Sequence, residues 1–226
     1  MRLRFPLIVL NFKTYSEALG VRAVELARVA ERVSGKTGVE VVVCPPLTEL
    51  KTVASQVGVG VLAQHCDPYD AGPYTGAVVA EALKEAGAVG SLLNHSERKM
   101  RLTDISVAVG RLRYNGLISL VCADDPNASA AVSAMGPDIV AVEPPELIGT
   151  GISVSTSRPD VVSDTVRRVK SVNPDVHVLC GAGVSKPEDV SKALQLGAEG
   201  VLVSSAYVKS RDPAALLNEL CRAALI

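Results

Sequence analysis

The chain has 226 residues, of which 48% are hydrophobic, so it can bury a substantial core and is neither disordered nor fibrous. Its 23 basic and 24 acidic residues give a formal charge of −1, which provides no basic patch for nucleic acid and no polybasic segment for an anionic membrane. The opening MRLRFPLIVLNFK is interrupted by Pro6 and lacks a small-residue cleavage site, so we expect no signal peptide. We therefore expect a soluble cytoplasmic protein whose partner is a small neutral or anionic molecule.

The five cysteines and three histidines lack the spacing of a disulfide framework or a zinc motif. Several cysteines lie in apolar runs such as VVVCPP and HVLCGAG, which is typical of buried thiols in a reducing compartment. No HxxxH or HxH pair is present, so the sequence predicts no metal site.

Short apolar, β-branched runs alternate with helical stretches along the chain. In order, the runs are LIVLNF, VEVVVCP, VGVLAQ, AVGSLLN, GLISLVCA, DIVAVEP, DVHVLCGAG and GVLVSSA. They are continuously apolar and do not alternate with polar residues, as expected when both faces of a parallel sheet are covered. Eight such units at this length predict an α/β protein that forms a single (β/α)8 barrel, the TIM-barrel fold, over residues 1–226.

Polar residues follow several predicted strands, at the ends where such a barrel forms its active site. They are Asn11 and Lys13 after the first strand, Gln64 and His65 after the third, Asn94, His95, Ser96 and Glu97 after the fourth, and Glu143 after the sixth. Each alone has an ordinary structural interpretation, such as a solvated lysine or a core histidine. Their convergence on one rim favours a functional site. The segments CGAGVS and VSSAY after the last two strands offer backbone N–H groups that suit a phosphate.

These residue types suit removal of a proton from carbon next to a carbonyl. A carboxylate acts as the base, and Lys13 and His95 meet the charge of the resulting enediolate. The segments GTGISV and GAGVSK lack the third glycine of a dinucleotide fingerprint, so we expect no cofactor. Three alternatives stay open: an aldolase, which would need a lysine deep on a strand, an epimerase with paired acids or a metal, and a non-catalytic barrel that binds a sugar phosphate.

Five motifs in the right order resemble the triosephosphate isomerase family across nearly the whole chain. They are NFK at 11–13, AQ at 63–64, YTG at 74–76, NHSER at 94–98 and EPPELIGTG at 143–151. The short length is similar to that of archaeal members. The resemblance implies an aldose-ketose isomerase that interconverts dihydroxyacetone phosphate and D-glyceraldehyde 3-phosphate through an enediolate, in glycolysis and gluconeogenesis. It also implies that neither a cofactor nor a metal takes part.

The resemblance assigns a role to each candidate residue. By this resemblance Glu143 is the base, His95 is a neutral imidazole at a helix N-terminus that polarises the carbonyl, and Lys13 and Asn11 stabilise the enediolate and bind substrate. The phosphate-binding residues it implies are Asn11, Lys13, Ile148, Gly149, Gly183, Ser204 and Ser205, and the supporting residues are Glu97, Ser96 and Thr75. Thr75 would reach the catalytic residues of a neighbouring subunit, which implies a homo-oligomer, either a dimer or the tetramer typical of archaeal relatives.

The segment after the sixth strand is expected to be a lid, and this family is itself a standard example of lid closure. Pro144 and Pro145 would stiffen its first hinge, while Gly149 and Gly151 leave its phosphate-binding part free to adapt. Glu146 stands where better-known members have tryptophan, CGAGV stands for the usual YGGSV, and Ser204-Ser205 replaces two glycines. We therefore expect the contacts of this lid to differ from theirs.

Overall fold

A computed structural model describes residues 3–225 of the chain. Its strands are β1 (Leu7–Asn11), β2 (Glu40–Cys44), β3 (Gly60–Ala63), β4 (Gly90–Leu93), β5 (Ile118–Ala123), β6 (Ile139–Val142), β7 (His177–Cys180) and β8 (Gly200–Val203). All pair in parallel and in chain order, and β1 also pairs with β8, so the sheet closes into a barrel. Each strand lies within one of the eight predicted runs. The expected (β/α)8 fold is confirmed.

The helices of the described residues follow the strands. They are α1 (Val21–Thr37), α2 (Leu50–Ala54), α3 (Ala80–Glu85), α4 (Leu102–Tyr114), α5 (Pro126–Ser133), α6 (Val154–Ser157), α7 (Pro159–Val172), α8 (Pro187–Gln195), α9 (Ser205–Val208) and α10 (Pro213–Ala223). The first predicted helix is divided. A 3-10 turn covers Ser16–Ala18, and α1 begins only after Gly20, whose φ of 60° interrupts the helical path. No helix of residues 3–225 has the length and apolar character needed to cross a membrane.

The strands are buried on both faces because two separate apolar layers form. In β1, Leu7 and Val9 point into the barrel and join a core made entirely of strand residues. Ile8 and Leu10 point outward and pack beneath the helices in a larger cluster. This double burial explains why the runs are continuously apolar. Because every strand runs in the same direction, their carboxyl ends gather at one mouth of the barrel.

Candidate active site

A cavity of about 400 Å³ opens at the carboxyl ends of the strands. Its lining contains eight of the expected residues, which are Lys13, His95, Glu143, Ile148, Gly149, Gly183, Ser204 and Ser205. An adjoining cleft of about 390 Å³ is lined by Asn11 and Glu97, together with Lys13 and His95. Ser96 and Thr75 line neither space. The barrel thus brings together residues that are far apart in the sequence, at a volume suited to a small ligand.

Glu143 lies directly after β6 and is almost fully buried, with 2% of its surface exposed. Its backbone N–H donates to the carbonyl of Ala123, which extends the β5–β6 pairing by one residue and fixes the position of the side chain. The carboxylate packs against Gly181, where an added Cβ would come within 2.3 Å of the Glu143 Cγ. A buried carboxylate in this position is held firmly and has little water around it.

The thiol of Cys122 lies beside Glu143 at the end of β5. Burial first, and then the negative charge of Glu143, raise the pKa of this thiol well above its usual value. The cysteine therefore stays protonated and adds no second negative charge next to the carboxylate.

His95 is buried, and its ring orientation is set by its own turn. The backbone N–H of Glu97 donates to Nδ1 at 3.2 Å, and the N–H of Arg98 donates to the His95 carbonyl at 2.8 Å. Because Nδ1 accepts, a neutral ring carries its proton on Nε2. That atom lies 3.8 Å from Oε2 of Glu143. The helix that we expected at His95 is only this one turn, because α4 begins at Leu102.

Lys13 adopts a φ of 49°, a left-handed conformation that is uncommon outside glycine. Two side chains hold this backbone in place. Oδ1 of Asn11 accepts the Lys13 N–H at 3.0 Å, and Nε2 of Gln64 donates to the Lys13 carbonyl at 2.8 Å and to the Cys44 carbonyl at 3.0 Å. The Lys13 ammonium lies 2.7 Å from Oε1 of Glu97. Strain that neighbouring contacts maintain in this way is characteristic of functional sites.

Backbone N–H groups supply the other side of the cavity. Those of Gly149, Gly183, Ser204 and Ser205 donate to no acceptor in the part of the chain that the structure describes. Gly183 has a φ of 70°, and an added Cβ would lie 1.9 Å from the carbonyl oxygen of Ile152. Unpaired amides beside the Lys13 ammonium create positive potential without a buried countercharge, which suits an anion.

The lid segment follows Glu143 and is largely exposed. Pro145–Leu147 forms a 3-10 turn, and Gly149 and Gly151 have φ values of 76° and 74°. In place of the tryptophan of other family members, Glu146 makes an ion pair with Arg158, with 2.6 Å between Oε1 and Nη1. This pair joins the start of the lid to the residue that precedes α7.

The loop after β3 carries Thr75 at an exposed position away from the cavity. Its base is fastened by Asp67, whose carboxylate accepts from the Val78 N–H at 2.7 Å and contacts Nε2 of His65 at 2.9 Å. Burial lowers the pKa of His65, although the Asp67 contact opposes that change. The two tyrosines of the loop, Tyr69 and Tyr74, stack with their ring centroids 4.4 Å apart.

The sequence analysis missed several residues that shape the site. Gly181 stands next to Glu143 in space, and no local pattern in CGAGVS indicated that contact. Gln64 was noted only as a residue at a strand end, although it holds Lys13. Tyr15 and Lys209 line the cavity and were not singled out. Among residues 3–225, no group of three or more His, Cys, Asp or Glu side chains is arranged to hold a metal.

Comparison with known proteins agrees with this geometry. The sequence model described as triosephosphate isomerase matches residues 6–224. The triosephosphate isomerase of Methanothermus fervidus is 54% identical over 95% of this chain and 97% of its own length, and that of Methanocaldococcus jannaschii is 49% identical over 96% and 99%. The crystal structure of triosephosphate isomerase from Bartonella henselae aligns with a TM-score of 0.75 at 22% identity, covering 96% of this chain and 98% of that one, and supports the fold.

Proposed function

The chain belongs to the triosephosphate isomerase family, and we infer that it interconverts dihydroxyacetone phosphate and D-glyceraldehyde 3-phosphate. This isomerisation serves glycolysis and gluconeogenesis and uses no cofactor or metal. The observation that carries the assignment of roles is the placement of Glu143 and His95. A buried carboxylate and a buried ring N–H face each other across a gap in one cavity.

Glu143 is the base that moves the proton between the two substrate carbons. Its carboxylate takes a proton from the carbon next to the carbonyl, and the electron pair of that C–H bond forms the enediolate double bond. The carbonyl oxygen then carries the negative charge. Return of the proton to the neighbouring carbon, with proton exchange between the two oxygens, completes the isomerisation.

His95 and Lys13 stabilise the oxygen that becomes negative. The Nε2–H of His95 points into the gap beside Glu143 and can donate to that oxygen. The Lys13 ammonium adds a positive charge, and Asn11 keeps the Lys13 backbone in its strained conformation. Fixed donors of this kind stabilise charge without reorganising as it develops. Glu97 supports both groups, since its carboxylate contacts Lys13 and its N–H contacts His95.

The phosphate binds at the opposite side of the cavity. Its ligands are the backbone N–H groups of Gly149, Gly183, Ser204 and Ser205, with Ile148 beside them and Lys13 between this site and the reacting carbons. Closure of the lid brings the Gly149 amide onto the phosphate. It also excludes water, which protects an enediol phosphate from elimination of its phosphate.

The protein acts as a homo-oligomer in the cytoplasm, a dimer at least and a tetramer by analogy with archaeal relatives. The exposed position of Thr75, outside the cavity of its own chain, supports a role in the site of a neighbouring subunit. Ser96 supports the turn that carries His95. All five cysteines are free thiols and are buried, as suits a reducing compartment. We propose that residues 1–226 form one barrel domain.

A coupled assay tests this function directly. Turnover of glyceraldehyde 3-phosphate is measured with a chelator present, for the unmodified protein, for Glu143→Asp and for the exposed control Glu25→Asp. We expect Glu143→Asp to lower kcat by about 10²-fold or more, because the carboxylate retreats from the substrate carbon, and Glu25→Asp to have no effect. A folded protein that binds phosphate but shows no turnover would contradict the proposal and favour a binding barrel.

A further inference from the structure

The charges around the cavity are unfavourable for a phosphate ester if Lys13 is the only cation. A phosphate monoester carries a charge of about −1.5 to −2 at neutral pH. Glu143 contributes a buried negative charge beside the cavity, and Glu97 lies 2.7 Å from the Lys13 ammonium. The negative charge of Glu97 therefore offsets much of the attraction that Lys13 exerts on a dianion. A site for such a substrate needs more positive charge than Lys13 supplies.

Lys209, directly after α9, provides a second cation at the same cavity. It belongs to the lining together with Ser204, Ser205 and Gly183, whose amides are unpaired. Its ammonium lies over the ring of Tyr15, 4.2 Å from the ring centroid, and Tyr15 also belongs to the lining. A cation held against an aromatic face keeps N–H groups free to donate elsewhere.

A surface ion pair is the ordinary alternative for an exposed lysine, and Glu17 is the nearest candidate partner. The charge of Lys209 does contribute to lowering the pKa of Glu17, after the larger effects of the Glu17 backbone amide and of Ser16. However, no carboxylate of residues 3–225 lies within ion-pair distance of the Lys209 ammonium. Its charge is thus available to a ligand.

We propose that Lys209 is a second cationic contact for the phosphate group of the substrate, and that Tyr15 holds its ammonium at the cavity. The inference rests on the proposed function for the identity of the substrate, but it concerns phosphate recognition alone. Lys209 lies on the side of the cavity that carries the unpaired amides, whereas Glu97 and Arg98 line the adjoining cleft. Lys209 acts on binding, and the proton transfer remains with Glu143.

The first experiment compares Lys209→Met with Lys36→Met, which removes an exposed charge from the last turn of α1, at the opposite end of the barrel. Inorganic phosphate is titrated calorimetrically, and KM and kcat are measured for glyceraldehyde 3-phosphate. We expect Lys209→Met to weaken phosphate binding about 5- to 20-fold, with the loss falling mainly on KM, because the contact exists before and during the reaction. Lys209→Arg should restore most of the affinity.

Salt dependence and Tyr15 variants separate a binding role from a structural one. The phosphate affinity of the unmodified protein should fall more steeply with ionic strength than that of Lys209→Met, since one charge contact is missing there. Tyr15→Phe keeps the ring face and should bind like the unmodified protein, while Tyr15→Leu should lose part of the affinity. Each variant is checked for an unchanged thermal unfolding midpoint.

The inference is wrong if Lys209→Met binds phosphate as Lys36→Met does, or if Lys209→Arg fails to rescue a folded protein. Because the titration needs no turnover, this failure is distinct from that of the proposed function. An unmodified protein without isomerase activity, whose phosphate affinity still depends on Lys209, would contradict the isomerase assignment and leave the phosphate contact standing.

Discussion

Nε2 of His95 and Oε2 of Glu143 face each other across 3.8 Å, and neither atom has a hydrogen-bond partner among residues 3–225. A buried polar atom without a partner costs about 1–3 kcal/mol, so two such atoms at one position are unfavourable for stability alone. A carbonyl substrate fits the gap, because its oxygen can accept from His95 while its neighbouring carbon meets Glu143. The unfavourable arrangement of the empty site thus becomes favourable when substrate binds.

His95→Leu should lower kcat by about 10²- to 10³-fold, because it removes the donor for the developing oxyanion. The phosphate amides lie on other elements, so phosphate affinity should change less than about 3-fold. The coupled assay and phosphate calorimetry on the same preparation check both outcomes. An equal loss of phosphate binding would instead indicate that His95 shapes the cavity as a whole.

Gly181→Ala should disable the base without removing it. Its Cβ would lie 2.3 Å from the Cγ of Glu143, closer than packing allows, so the carboxylate must move. We expect kcat to fall by about 10²-fold while phosphate binding is retained. Gly35→Ala is the matched control, because it lies within α1 with open space around it and should stabilise the fold by about 0.5–1 kcal/mol. Steady-state kinetics and thermal unfolding of both variants decide the matter, and normal turnover in Gly181→Ala would refute the packing argument.

Gln64→Leu should release the backbone of Lys13, because the two carbonyls that Gln64 binds lose their donor. The left-handed conformation of Lys13 would then rest on Asn11 alone. We expect kcat/KM to fall about 10-fold, since a side chain displaced by a fraction of an ångström stabilises the enediolate less well. Gln195→Leu, on the exposed end of α8, serves as the comparison. Kinetics unchanged relative to that comparison would mean that Asn11 suffices.

Glu199 predicts a pH-dependent part of the stability at the other end of the barrel. Its burial alone would raise its pKa, but Lys170 and His177 outweigh that effect and lower the pKa below the usual value. The contribution of this carboxylate is therefore present above its unfolded pKa of about 4.3 and is lost as the pH falls through the lower folded value. Glu199→Gln should destabilise the protein by about 1 kcal/mol at pH 7 and by progressively less below pH about 4.

Urea unfolding of Glu199→Gln at several pH values provides the measurement. Glu25→Gln removes an exposed carboxylate and serves as the control, for which we expect no pH-dependent difference. A difference between Glu199→Gln and the unmodified protein that stays constant down to acid pH would show that Glu199 acts through packing and not through its charge.

The sequence by itself determined the barrel. Continuous apolar runs such as LIVLNF can be satisfied only where both faces are covered, and each strand was found within its predicted run. It also determined which residues stand at the carboxyl ends of the strands, because strand direction and chain order are local properties. Glu143, His95 and Lys13 could be placed on one rim for this reason alone. Local patterns predicted boundaries less well, as Gly20 shows by delaying the start of α1.

The tertiary structure alone decided which side chains meet across the mouth. Lys13 and Glu97 are 84 residues apart, and only closure of the barrel brings their charges to 2.7 Å. The contact of Gly181 with Glu143 and that of Lys209 with Tyr15 arise in the same way, from loops on neighbouring strands. The relative position of these loops depends on strand register and on the packing of two cores. These are properties of the whole chain, and no single segment encodes them.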